Sequence, residues 1–297
     1  MRVLFLANIF DISQRKEEES RNSRWISRLI LIFWFSSIGL NLFAYNYASS
    51  AMEEAELGHV RTFLTSYMDV LLIYIVSFIA GFILSSLIFY SILKHGSENK
   101  LYIAGGAFFF LSGILDIVAA YYTFHFRKAI EHILTSLPLI PYEDLLTQIY
   151  DLNDRFAYQV DMYNTFSIAS IGSAFIFFGL SSILIAKKLM DQFEAIFMHQ
   201  IFVGEPTEPT TQTPQALTPE TTNIFKSAVN DIRLNGVLYT LSGILDLFVL
   251  LPGGSGFTSL AFMLFLIGMY FEHRGYKKLQ SLKIRIPGGF SQVFYGE

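Results

Sequence analysis

The chain contains no cysteine. That excludes disulfides, thiolate metal sites and cysteine nucleophiles. Charge is scarce as well: Asp, Glu, Lys and Arg make up 15% of the 297 residues, against about 25% in a typical soluble domain. The net charge of −4 offers no basic surplus for nucleic acid. Histidines stand at positions 59, 95, 125, 132, 199 and 273, and none takes part in an HExxH spacing. No Gly-rich phosphate loop follows a strand, and no basic groove is interleaved with aromatics. The serines of the apolar segments have no histidine at comparable depth. His125 and His132 lie seven residues apart on one helix face and, with Glu131, offer at most a weak surface metal site, with solvated polar residues as the simpler reading. The N-terminal MRVLFLANIFDISQRKEEES lacks a small-residue cleavage site, so it is expected to be a retained arm.

What the chain has is apolar length. It is 53% hydrophobic with a mean hydropathy of +0.44. A helix needs about 20 residues to cross a hydrocarbon core of roughly 30 Å. Six spans are expected, over 26–45, 68–93, 101–124, 165–186, 236–251 and 257–273. The last two are joined by PGGSG, a turn by composition. The expected fold is all-α: a polytopic transmembrane helical bundle. With the N-terminus placed inside, all but four of the 21 Lys and Arg residues fall on the inner side. The four exceptions are Arg61, Arg127, Lys128 and Arg155. By the positive-inside rule both termini are expected in the cytoplasm of a multi-pass cell-membrane protein. Trp25, Tyr45 and Tyr47 fit the interfacial aromatic belts of the first span.

This threading divides the chain into an arm (1–25), spans 1–4 (26–190), a cytoplasmic loop (191–235), spans 5 and 6 (236–273) and a tail (274–297). The outer loop 126–164 reads as a helical hairpin. Ala129, Ile130, Ile133, Leu134 and Leu137 line one arm, and Leu145, Ile149, Leu152, Phe156, Val160 and Tyr163 line the other, with PLIP at the turn. Packing of the two arms on each other competes with a partner-binding face as the purpose of these stripes. Inside, the Thr/Pro-rich stretch 203–223 cannot bury enough surface to fold and reads as a linker. LMDQFEAIFMHQIF and NIFKSAVNDI beside it read as interfacial amphipathic helices.

LSGILD occurs at 111–116 and again at 241–246. In that register Gly106 matches Gly236, Gly113 matches Gly243 and Asp116 matches Asp246. SSIGLN at 36–41 places Asn41 where the aspartates stand, while LSSLI (84–88) and LSSIL (180–184) resemble each other in returning spans. Three tandem hairpins of one orientation are expected. Seven residues are nearly two helical turns, so the paired glycines and the aspartate share one side of each helix. Glycine there permits close helix approach. A lipid-facing Asp at a helix centre costs roughly 2.5–3.5 kcal/mol, so the acids are expected to face protein. Asp116, Asp246, Asn41, Ser112 and Ser242 form a candidate ion or proton site, or a packing site.

The Gly-containing spans with LSGILD, followed by LIGMYFEHRGYKKL, resemble an archaeal family of uncharacterised multi-spanning membrane proteins with Gly-rich repeated spans. The resemblance runs over spans 3–6. It implies an archaeal origin and supplies no catalytic residues and no cofactor. The functional expectation is a non-enzymatic structural or assembly component of a membrane complex, in contact with lipids and with other membrane proteins or its own copies. The alternative is a transporter or ion-conducting subunit that uses Asp116 and Asp246.

Overall fold

The computed structural model describes residues 39, 43, 46–47, 60–94, 99–136, 142–202, 219–252 and 256–281. The arm, nearly all of the first expected span with Asn41, residues 203–218 of the linker and the tail beyond Ser281 lie outside the described residues. Five long helices follow in chain order. They are α1 (Val60–Lys94), α2 (Lys100–Ser136), α3 (Tyr142–Phe202), α4 (Pro219–Leu247) and α5 (Phe257–Ser281). A 3-10 turn, Phe248–Leu250, ends α4. Among the described residues every such element is helical.

Four segments are long and apolar enough to cross a membrane: Arg61–Lys94, Lys100–Ser136, Tyr150–Asp191 and Pro219–Leu250. The apolar run of α5 gives way to Glu272, His273 and Arg274 before it reaches the roughly 20 residues of a full crossing. At 1.5 Å per residue α3, with 61 residues, is about 90 Å long, so much of it extends past any hydrocarbon core.

Along the apolar segments, exposed and buried side chains differ in kind. Large apolar residues are exposed in stripes: Leu72, Val76, Ile79 and Ile83 on α1, Ile114, Ile117 and Tyr121 on α2, and Leu234, Val237, Leu241 and Ile244 on α4. Small and polar residues are buried, among them Ser77, Ser85, Ser112, Ser167, Ser181, Asn235 and Ser242. In water such a surface would aggregate. In lipid it is the stable arrangement, because small residues let helix backbones approach and acyl chains cover the rest. These features fit a membrane protein.

The chain divides into two compact units. The first holds α1, α2 from Gly106 and α3 as far as Ile171. One end of it is a three-helix core of Leu64, Leu71, Phe126, Ile130 and Ile133, flanked by Tyr67, Leu134, Leu152 and Phe156. Phe126 stacks on Phe156 at 5.7 Å and meets Tyr67 edge-on at 5.8 Å. Ile130, Ile133 and Leu134 of α2 thus pack with Leu152 and Phe156 of α3, and the first turns of α1 complete the core.

The second unit holds residues 95–105, α3 from Gly172, α4 and α5. Asn99 caps α2 by accepting from the Leu101 amide at 3.1 Å, and its own amide donates to Ser181 Oγ on α3 at 2.7 Å. Ala186, Leu189 and Phe193 of α3 pack with Phe225, Ala228, Val229 and Ile232 of α4 and Leu279 of α5. Phe193 and Phe225 stack at 4.3 Å. The segments read from sequence as interfacial helices are therefore continuous with the spans beside them and pack on each other. Pro219 opens α4, where its missing amide proton costs nothing, and Glu220 complements the helix dipole.

Candidate functional site: the LSGILD helix faces

Each LSGILD copy leaves one side exposed and turns the other to protein. Leu111 and Ile114 are exposed, as are Leu241 and Ile244. Ser112 and Gly113 are buried, as are Ser242 and Gly243.

In the first unit the glycine side of α2 lies on α1. A Cβ at Gly106 would sit 2.7 Å from Ile92 Cδ1, and one at Gly113 would run into Ser85 Oγ. Asp116 lies one turn further along, and its Oδ2 occupies the space a Cβ on Gly81 would take. Ser167 of α3 donates to Asp116 Oδ1 at 2.6 Å and is 3.3 Å from the Ser112 carbonyl oxygen. Ser112 itself donates to the Phe109 carbonyl at 2.6 Å. The carboxyl is thus held between a glycine of the preceding helix and a serine of the following one.

In the second unit the glycine side of α4 lies on α3, backbone against backbone. A Cβ at Gly236 would lie 2.6 Å from the Gly179 carbonyl oxygen, and one at Gly179 would lie 2.5 Å from that of Gly236. Gly172 and Gly243 meet in the same reciprocal way: a Cβ at Gly172 would lie 2.7 Å from the Gly243 oxygen. Both pairs are seven residues apart on antiparallel helices, so one face of each helix supplies two close approaches. Asp246 stands beside Gly172, with its Cβ 2.8 Å from where a Cβ on that glycine would be. It is 7% exposed and has no hydrogen-bond partner among the described residues. Ser242 donates to the Ala261 carbonyl of α5 at 2.7 Å, which ties the third helix to the same face.

Asp116 and Asp246 each find their surroundings within their own unit. His132 and Glu131 are exposed on α2, and no group of three His, Cys, Asp or Glu side chains positioned for a metal occurs among the described residues.

Two polar groupings escaped the sequence reading. Asp231 is buried on α4 and takes both Arg274 Nε and Lys278 Nζ from α5, at 2.8 and 2.7 Å, with Arg274 Nη2 on its other oxygen. Lys278 also donates to Ser227 Oγ at 2.8 Å. Nearby, Tyr239 Oη donates to Glu272 at 2.8 Å, and Asn235 Nδ2 reaches Ser182 Oγ at 3.3 Å. The spacing of Asp231, Asn235 and Tyr239, four residues apart, was the available signal: it puts three polar groups on one stripe of α4. Asp231 lies before the expected fifth span, so it is not among the charges within spans. Comparison with known protein families, curated proteins and solved structures finds no match to the chain.

Proposed function

We infer that the protein is a non-enzymatic structural or assembly component of a membrane complex, a six-span bundle with both termini in the cytoplasm. The observation that carries this reading is the occupancy of the LSGILD faces. A motif built for ion passage would leave its acids beside open space, whereas here Gly113, Gly236 and Gly243 meet neighbouring helices at contact distance and Asp116 is tied to Ser167. Such faces serve to fix helix positions. The exposed apolar stripes then present a rigid surface to lipid and to other membrane proteins or further copies of the chain.

A second reading, a transporter or ion-conducting subunit, draws support from Asp246. A carboxyl this enclosed and without a hydrogen-bond partner is a candidate carrier of a proton or cation. One experiment separates the two. The double variant Asp116→Asn, Asp246→Asn is reconstituted in proteoliposomes beside the parent chain. The structural reading expects no proton- or cation-dependent flux from the parent. A flux present in the parent and lost in a folded double variant would overturn it in favour of transport.

A further inference from the structure

The stripe of α4 that faces α5 holds Asn235 and Tyr239, and opposite them on α5 stands Glu272. Asn235 is fully buried, with 0% of its surface exposed. Its amide nitrogen is used by Ser182, but its Oδ1 has no donor. That oxygen points at Gly268, lying 3.2 Å from where a Cβ on this glycine would be, in the space that the Tyr239 ring also borders. Tyr239 is 7% exposed, its ring stacked 5.1 Å from Phe265, and its hydroxyl donates to Glu272. Glu272 lies one turn beyond Gly268 on α5.

Charge makes this grouping unusual. Arg274 and Lys278, two cations that follow Glu272 on α5, are both committed to Asp231. Glu272 has no cation partner among the described residues. The site therefore contains one part-buried carboxylate without a counter-charge and one fully buried amide oxygen without a donor, both unfavourable where water is largely excluded. A proton on Glu272 would answer the first deficit. A metal cation answers both at once, since it accepts lone pairs from carboxylate and amide oxygens together. A single negative charge and the all-oxygen set of Glu272, Asn235 and Tyr239 suit a hard monovalent ion.

The two LSGILD helices differ at this point. In the register that aligns the motifs, Gly105 and Phe109 of α2 stand where α4 has Asn235 and Tyr239. The polar groups are thus particular to α4 and are not required by the packing motif the helices share.

We propose that Asn235, Tyr239 and Glu272 bind one alkali-metal cation between α4 and α5. This inference is independent of both readings of Asp116 and Asp246. Its test is thermal unfolding of the full chain in detergent, with sodium or potassium chloride compared against choline chloride at constant ionic strength and pH. One alkali salt is expected to raise the unfolding midpoint saturably, by about 2–4 °C or more. Glu272→Gln, which keeps an acceptor for Tyr239, is expected to show no rise on going from choline to either alkali salt. If that variant does not fold, Tyr239→Phe is used. It keeps the ring and is expected to need about tenfold more cation for half the effect, a loss of roughly 1.4 kcal/mol of binding. The proposal is overturned by a parent midpoint equal in all three salts. Stabilisation by lower pH alone, which marks a proton-only site, overturns it too, as does a cation response unchanged in the variant used.

Discussion

Single residues on the packed faces carry sharply different costs, and glycine shows this best. At Gly172 a methyl group would meet the backbone oxygen of Gly243, which has no rotamer to move away. Gly172→Ala is therefore expected to destabilise the chain by about 1–3 kcal/mol, as overpacking does elsewhere. Gly256→Ala, at a position with nothing within 4 Å, is expected to leave the unfolding midpoint unchanged. Thermal unfolding of the two variants side by side checks the contrast. The acids behave differently. Ser167→Ala strips Asp116 of the hydrogen bond it accepts in the first unit and should cost about 0.5–2 kcal/mol. Asp116→Asn retains an acceptor for Ser167 and is expected to cost less; the reverse order in the same assay would mean that the charge itself matters. At this scale the sequence was informative about direction. The seven-residue spacing of glycines located one side of each helix, and the energetic penalty of a lipid-facing acid said which way it turned. The identity of the opposing residues, Ser85 for Gly113 and Gly172 for Gly243, was hidden. Helix pairing is a non-local property that a single chain's periodicity does not contain.

Between helices, the second unit is fastened by different chemistry at different levels. Glycine pairs join α3 to α4, aromatic contacts among Phe175, Tyr239 and Phe265 join α3, α4 and α5, and Asp231 ties α4 to α5 through Arg274 and Lys278. Asp231 is 6% exposed while its partners are partly in solvent, so the cost of losing it lies between that of buried and surface pairs. Asp231→Ala leaves two cations facing each other and is expected to cost about 1–3 kcal/mol. Asp231→Ala combined with Arg274→Met and Lys278→Met should recover part of that loss, measured in the same unfolding assay as the departure of the triple variant from additivity. The contact of Ile130 and Ile133 with Leu152 and Phe156 agrees with the two apolar stripes read on either side of PLIP. The continuity of α3 into residues 191–202, and of α4 back to Pro219, was not legible. An amphipathic segment next to a span has the same periodicity whether it lies on a membrane or continues the helix, and only the packing of Phe193 on Phe225 distinguishes them.

For the whole molecule, the account rests on a distribution of surfaces: large aliphatic side chains outward, small and polar ones inward. Most of this was readable from composition and run length. Span 1 and Asn41 lie beyond what the structure describes, and α5 is too short in its apolar run to be counted by length alone. The absence of cysteine makes the chain its own background for site-directed labelling. The most direct test of the central claim is oxygen accessibility of nitroxide labels at single cysteines introduced at positions 241, 242 and 244, and at 111, 112 and 114, in lipid bilayers. Labels at 241, 244, 111 and 114 are predicted to be lipid-accessible, and those at 242 and 112 to be shielded. Equal accessibility at 242 and 244, or at 112 and 114, would contradict the account, because the serine and glycine side of the motif would then face lipid.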